Sequence, residues 1–392
     1  MKKRLISSIL VLVLVVSALV GCGQSKQENS TEQTSAEAQA TENGDSKEAS
    51  STENGDGQEA SPEAAGTENT GSNEDSSSVP TGHTATEVNV GYVDVTGGGL
   101  NSALSGVAKD QGFFDEEFEK IGVKLNMVPM TGAGPAINEA LASGNLDIGE
   151  LGDVPGVIGK ASGVDTQIIA FGGLNNGASL IAGPKTDYKS ITDLKGKKIA
   201  TQRGAFMHRT LSAMLEQAGL TENDIEFVNV NAQEASEMLV TGNVDAIVVG
   251  GVTLTRLVEQ GYNIVVDYRE HPEFTAGGYA IARTKFIEEN PDIILAYVKA
   301  LVRAQNLAKE DKDTMLKQWE STGESKESYE YLYPNHDNYF AIKPAEGEIE
   351  NSENTLKFLV DNELIPAENT FDIASWVNSS FYDAAYQELG NE

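Results

Sequence analysis

The sequence predicts an α/β protein of two units, and three features carry that expectation. From Val88 onward, short apolar runs alternate with helical patterns, as parallel-sheet domains require. Glycine-containing turns recur where a strand gives way to a helix. The 392 residues suit two compact units of ~100–200 residues each.

In chain order, residues 88–93 read as a strand and 101–111 as a helix. Residues 123–128 are a second strand, followed by a helix over 135–143. A short strand at 147–149 leads into a helix near Asp153-Val154-Pro155, where proline suits the first turn. Residues 167–171 are a strand again. A second unit begins near Gly183, with strands at 198–201, 225–229, 246–249 and 264–266 and helices at 206–218, 233–241 and 254–260. After a strand at 278–282 the chain turns almost wholly helical, with 292–309 the longest helix. Crossings near 179–183 and 276–282 make the first unit discontinuous: lobe one is expected over 87–180 and 280–392, lobe two over 181–279.

Ahead of this fold, residues 1–21 read as an export signal. Lys2, Lys3 and Arg4 precede an apolar run from Leu5 to Val20 that is short for a membrane span, and small Gly21 precedes Cys22. This ending resembles a lipoprotein lipobox, which implies lipidation of Cys22 and a membrane anchor, acyl chains adding ~0.8 kcal/mol per buried CH₂. From Gly23 to Thr86 there is no Leu, Ile, Met, Phe, Tyr or Trp, and Val79 is the sole branched aliphatic. Such a composition cannot offset chain entropy, so 22–86 is expected to be a lipidated cysteine on a disordered acidic stalk. As a coil it would span ~45 Å.

Composition excludes several classes. A net charge of −32 leaves no basic surface for nucleic acid. One cysteine excludes internal disulfides, and with four histidines it makes no zinc pattern. Gly-x-Ser-x-Gly, His-Glu-x-x-His and Walker motifs are absent, and Gly132-Ala-Gly134-Pro-Ala-Ile137 lacks the third glycine of a dinucleotide fingerprint. No metal, cofactor or catalytic residue is expected.

What remains is a set of strand-to-helix turns whose backbone N–H groups can meet a polar or anionic ligand at the carboxyl ends of strands. The candidates are Asp94, Thr96, Gly97 and Gly98; Thr131, Gly132, Ala133 and Gly134; Leu151, Gly152 and Asp153; Arg203, Gly204, Ala205 and Phe206; and Gly250 with Gly251. Their recurrence without catalytic groups predicts a binding cleft.

Several stretches carry a family resemblance: Gly132-Ala-Gly-Pro-Ala-Ile-Asn-Glu-Ala-Leu141, Gly144-Asn-Leu-Asp-Ile-Gly-Glu-Leu-Gly-Asp-Val-Pro155, Ile191-Thr-Asp-Leu-Lys-Gly-Lys-Lys-Ile-Ala200, Leu215-Glu-Gln-Ala-Gly-Leu220 with Asp224, and Gly242-Asn-Val-Asp-Ala-Ile247. From about Val88 to Lys309 the chain resembles the solute-binding proteins of nitrate/sulfonate/taurine-type ABC importers. The resemblance implies a type II periplasmic-binding fold, two lobes closing on a small ligand, and delivery to a permease driven by an ATPase; the chain itself is expected to be a monomer. Where many sulfonate binders have Gly-Ser, this chain has Gly204-Ala205. A Trp-Asp-Pro-type turn is replaced by Gly250-Gly-Val252. Both changes remove polar or aromatic contact.

Individual residues keep two readings. Arg203 offers an anionic ligand a charge-assisted bond or pairs with a surface acid. His208 is expected on a helix surface rather than at a ligand. Asp153 binds a ligand amine or caps its helix, and Asp94 faces cleft or solvent. Tyr92 and Tyr279 stack on a ligand or belong to the sheet core. Residues 319–392 are expected to brace lobe one. Two other roles share the fold: a sensing partner of a membrane receptor, and an enzyme of pyrimidine-precursor or menaquinone metabolism, which an exported chain disfavours.

Overall fold

The computed structural model describes residues 79–94, 101, 103–174, 176–321, 323–333 and 341–390. The signal, Cys22 and the stalk as far as residue 78 lie outside the described residues. The order is β1 (Glu87–Val93), α1 (Leu104–Asp110), α2 (Phe113–Ile121), β2 (Lys124–Met130), α3 (Ala133–Ser143), β3 (Ile148–Gly152), α4 (Asp153–Ala161), β4 (Thr166–Phe171), β5 (Asn176–Ala182), β6 (Lys198–Thr201), α5 (Phe206–Gln217), β7 (Glu226–Asn229), α6 (Ala232–Thr241), β8 (Ala246–Gly250), α7 (Gly251–Glu259), β9 (Asn263–Val266), β10 (Thr275–Ala276) and β11 (Gly278–Arg283). Helices α8 (Thr284–Glu289), α9 (Pro291–Glu310), α10 (Lys312–Ser321), α11 (Lys326–Leu332), α12 (Glu348–Asp361), α13 (Ile373–Trp376) and α14 (Ser380–Glu388) complete the chain.

Two sheets result. Sheet one has the order β2-β1-β3-β11-β4, with β1 parallel to β2 and β3 and with β11 antiparallel to β3 and β4. Sheet two has the order β10-β5-β8-β6-β7, with β9 also on β5; β6 runs parallel to β7 and β8, whereas β5 opposes β8. Near-continuous apolar runs such as Ala246–Val249 and Ile168–Phe171 are buried because helices cover both faces. The chain leaves sheet one after Phe171, enters sheet two at Asn176, and returns across Gly277 between β10 and β11.

Three features differ from the sequence reading. Residues 176–182, read partly as a crossing, form a full strand in sheet two, because Ala178, Leu180, Ile181 and Ala182 are buried there. Helix α2 follows Gly112, whose φ of 74° lets the chain turn directly out of α1. The packed chain begins before the expected end of the stalk. Val79 is 8% exposed within the lobe-one core, Asn290 Oδ1 accepts the N–H groups of Thr84 and Ala85 at 2.9 Å, and His83 pairs with Asp292 at 2.7 Å.

The C-terminal helices brace both lobes rather than lobe one alone. Trp319 and Tyr329 are buried in the lobe-one core, while Tyr331 packs against the lobe-two cluster and lies under Arg269 at 3.8 Å. Glu324 pairs with Arg256 of α7, and the Tyr268 hydroxyl donates to Leu332 O at 3.5 Å.

Candidate functional site

The strand-end turns of sheet one pack on one another. Asp94 ends β1, 5% exposed, with its N–H donated to Met130 O at 3.3 Å. Thr96, Gly97 and Gly98 follow it and lie outside the described residues. Thr131 and Gly132 are exposed in the turn after β2. Ala133 opens α3 with φ of 53°, a left-handed backbone that favours glycine. Gly134 is buried, and a Cβ there would fall 2.3 Å from Pro155 Cβ, so only glycine lets this turn sit on the start of α4.

The third turn, Leu151-Gly152-Asp153, enters α4. Asp153 is fully buried: its N–H donates to Gly277 O at 3.1 Å, Oδ1 accepts the Val154 N–H at 2.7 Å, and Oδ2 accepts the Thr355 hydroxyl at 3.0 Å. Arg209 Nη2, from α5 of the other lobe, stands 3.6 Å from Oδ2 and donates to Thr275 O at 2.6 Å. Burial pushes the Asp153 carboxyl up, against the pull of Arg209. Of its two readings, Asp153 thus takes a bond to the first turn of its own helix, and adds a polar link across the lobes.

On lobe two, Gly204 (φ 75°), Ala205 and Phe206 form the turn after β6, and Gly250 with Gly251 (φ 55°) the turn after β8. They touch: a Cβ on Gly250 would lie 2.3 Å from Gly177 O and 3.2 Å from the Phe206 ring. A Cβ on Gly204 would stand 4.0 Å from Ile158 of α4, and Phe206 and Val252 pack against the lobe-one core. The two sets of turns therefore face each other across the lobes.

Arg203 takes the second of its readings. Its Nη2 pairs with Glu222 at 2.9 Å, its guanidinium lies 4.3 Å from the Phe227 ring centre, and its N–H donates to Asn229 Oδ1 at 2.8 Å. His208 is not on a surface but fully buried, edge-on to Phe227 and Phe358. Nδ1 accepts the Gly204 N–H at 3.2 Å, which leaves Nε2 to carry the proton donated to Glu222. The His208 bond first, and Arg203 second, hold the Glu222 carboxyl at about 2.

Tyr92 and Tyr279 occupy the sheet core, 3% exposed each. Tyr279 is edge-on to Phe171 and Trp376 and shares a 2.5 Å hydrogen bond with Ser352. Sequence reasoning missed Glu150 of β3, which accepts hydroxyls from Ser105 at 2.5 Å and from Tyr297, and whose carboxyl burial pushes up. It also missed Arg209, which no local pattern distinguishes from other helix cations. Surface cavities of about 360 and 320 Å³ open elsewhere, the first lined by Leu356, Val360, Phe371 and Ile373, the second by Ile191, Met214, Val265 and His271; none of the described candidate turns lines either. Among the described residues no group of three or more His, Cys, Asp or Glu is placed to hold a metal, and no helix is long and apolar enough to cross a membrane.

Comparison with known proteins bears on the same region. A protein of Bacillus subtilis (strain 168) named for binding aliphatic sulfonates is 32% identical over 220 residues, 55% of this chain and 65% of that one. The taurine-binding periplasmic protein of Escherichia coli (strain K12) is 27% identical over 192 residues, 48% of this chain and 59% of that one. This chain thus spans less than two thirds of the length of either relative. A crystal structure named as a periplasmic sulfonate-binding protein, SsuA, from Methylobacillus flagellatus KT superposes with a TM-score of 0.69 and 28% identity, covering 79% of this chain and 96% of that one. The shared architecture is the two-lobed type II periplasmic-binding fold. The family profile described as NMT1/THI5 like matches residues 100–314, more than half of the chain, and the chain belongs to that family.

Proposed function

We propose that this protein is an extracytoplasmic solute receptor of an ABC importer, tethered through lipid on Cys22, and that it captures a small polar or anionic molecule of the sulfonate, taurine or nitrate class. The observation that supports it best is the approach of Gly204 to Ile158 of α4 and the packing of Phe206 and Val252 on the lobe-one core, which brings the glycine-containing helix starts of lobe two against the other lobe. Backbone N–H groups there would replace the ligand's water, and lobe closure would bury it before delivery to a permease and its ATPase. The sulfonate and taurine names of the relatives agree with that ligand class, and the periplasmic names of the taurine binder and of SsuA agree with an exported chain. Lobe one would comprise the sheet-one segments and lobe two the sheet-two segments, with Asp94, Thr131–Gly134 and Leu151–Asp153 contributing from one side. No described lysine or arginine is proposed as the anion's partner, because Arg203 is committed to Glu222 and Arg209 to Asp153 and Thr275.

A thermal-shift screen against alkanesulfonates, taurine, nitrate, amino acids and pyrimidines tests this. A ligand at ~100 times its Kd adds about 2.7 kcal/mol, a rise of a few degrees in a protein of this size. A rise with one sulfonate or with nitrate supports the reading and names the cargo. A rise confined to pyrimidines moves the chain to another ligand class, and turnover of any bound compound overturns the receptor role.

A further inference from the structure

We propose that Glu348 is a positioning residue for lobe closure: its carboxyl is bonded to one inter-lobe crossing and wedged against the other, and its charge state sets how freely the lobes separate. The proposal rests on the receptor reading above. It starts from where the side chain lies. Glu348 opens α12 and is fully buried. Oε2 accepts the Ala345 N–H at 2.9 Å, and the Gly173 N–H of the first crossing bonds to the same carboxyl. Among the described residues Oε1 has no hydrogen-bond partner, and it faces the second crossing, where a Cβ on Gly277 would stand 3.1 Å from it. The crossings meet directly as well, since the Gly172 N–H donates to Gly278 O at 2.8 Å.

Among the described residues no cation pairs with this carboxyl. Asp153 of α4 faces it and repels its charge. Arg209 of α5 is held by Asp153 and by Thr275 O. The Tyr279 hydroxyl of β11 bonds Ser352, and Asn351 Nδ2 donates to Thr275 O at 3.1 Å. Burial, with Asp153 adding to it, pushes the Glu348 carboxyl up to about 7. The arrangement therefore suits a neutral carboxyl. Above that pH the charged form favours any arrangement that lets water reach Oε1, which means parting α12 from the crossings.

The test is a pulsed-EPR distance measurement on ligand-free chain carrying Cys22→Ser, Glu119→Cys in lobe one and Lys185→Cys in lobe two, at about pH 5.5 and about pH 8.5. The expected result is a longer or broader inter-lobe distance at the higher pH, and loss of that response in Glu348→Gln. A response that persists in Glu348→Gln, or none in the parent chain, overturns the proposal. Where Glu348→Gln does not fold, Gly277→Ala, which presses a methyl on Oε1, is expected to alter the amplitude or midpoint of the response, and an unaltered response overturns it. A chain that closes on its cargo yet ignores pH refutes only the role of Glu348. A distance that never changes with any solute that raises the melting midpoint refutes closure itself.

Discussion

Glu222→Gln keeps the side chain's volume and removes its charge, and its cost follows from the buried cluster around His208. The carboxylate accepts from His208 Nε2 and from Arg203 Nη2, and its side chain is 24% exposed. Holding it at about 2 against an ordinary 4.5 corresponds, at 1.36 kcal/mol per pH unit, to about 3 kcal/mol of stability at neutral pH. Partial solvent contact makes this an upper bound. Because the folded value is depressed, the contribution is complete above the ordinary value and is lost as pH falls through about 2; roughly 1.4 kcal/mol remains at about pH 3. Urea unfolding followed by far-UV circular dichroism, on parent and variant at about pH 7 and about pH 3, measures both. The variant should lose roughly 2–3 kcal/mol at the higher pH and less than half of that at the lower. A loss below about 1 kcal/mol at neutral pH, or an equal loss at both, would show that the carboxylate is not held as described.

Deleting residues 1–78 should leave the melting midpoint unchanged, whereas deleting 1–86 should cost about 2–4 kcal/mol from the Val79 side chain and the Asn290 bonds to Thr84 and Ala85; equal midpoints for the two would put the packed boundary elsewhere. Gly250→Ala forces a methyl onto Gly177 O and the Phe206 ring and should cost about 1–3 kcal/mol, with weaker binding of any ligand that the thermal-shift screen identifies. Cys22→Ala should release the protein from membranes or leave it uncleaved, and a cleaved product that stays anchored would refute lipidation.

The strands and helices that position the turns were legible because each carries its own periodicity and its own glycine stop. Residues 198–201, 206–218 and 246–249 were read almost to the residue, since a buried parallel strand is a short β-branched run whatever lies beside it. The side chains at the turns were not legible in the same way. His208 was expected on a surface, and by its own helix it would be; Phe358, 150 residues later, covers it. Arg203 stands in a strand-end turn and is a candidate from the sequence, whereas Arg209, six residues on within a helix, carries no local signal. Only the fold reveals that Glu222 takes the first and Asp153 the second. A lone valine among polar residues carries no period, so the sequence places Val79 in a stalk, yet the lobe-one core receives it.

The C-terminal strap sharpens what lobe closure would require. Were the lobes joined only at the two crossings, bending there would suffice. Helix α11 and the two residues before it add a third link, with Glu324 on Arg256, Ser325 on Glu259 at 3.1 Å, and Tyr331 beneath Arg269. The links differ in stiffness. The crossings are bonded backbone to backbone, Gly172 to Gly278 and Asp153 to Gly277, where no rotamer can absorb a displacement. The strap's lobe-two contacts run through long side chains, Arg256 more than half exposed, and through a Tyr268 hydroxyl bond already stretched to 3.5 Å. A rotation of one lobe on the other would therefore leave the crossings as its axis and be taken up by sliding of α11 on α7. Side chains at that axis, Glu348 between the crossings first among them, would therefore govern such a motion more than contacts at the strap, because a small displacement there would be amplified at the facing turns.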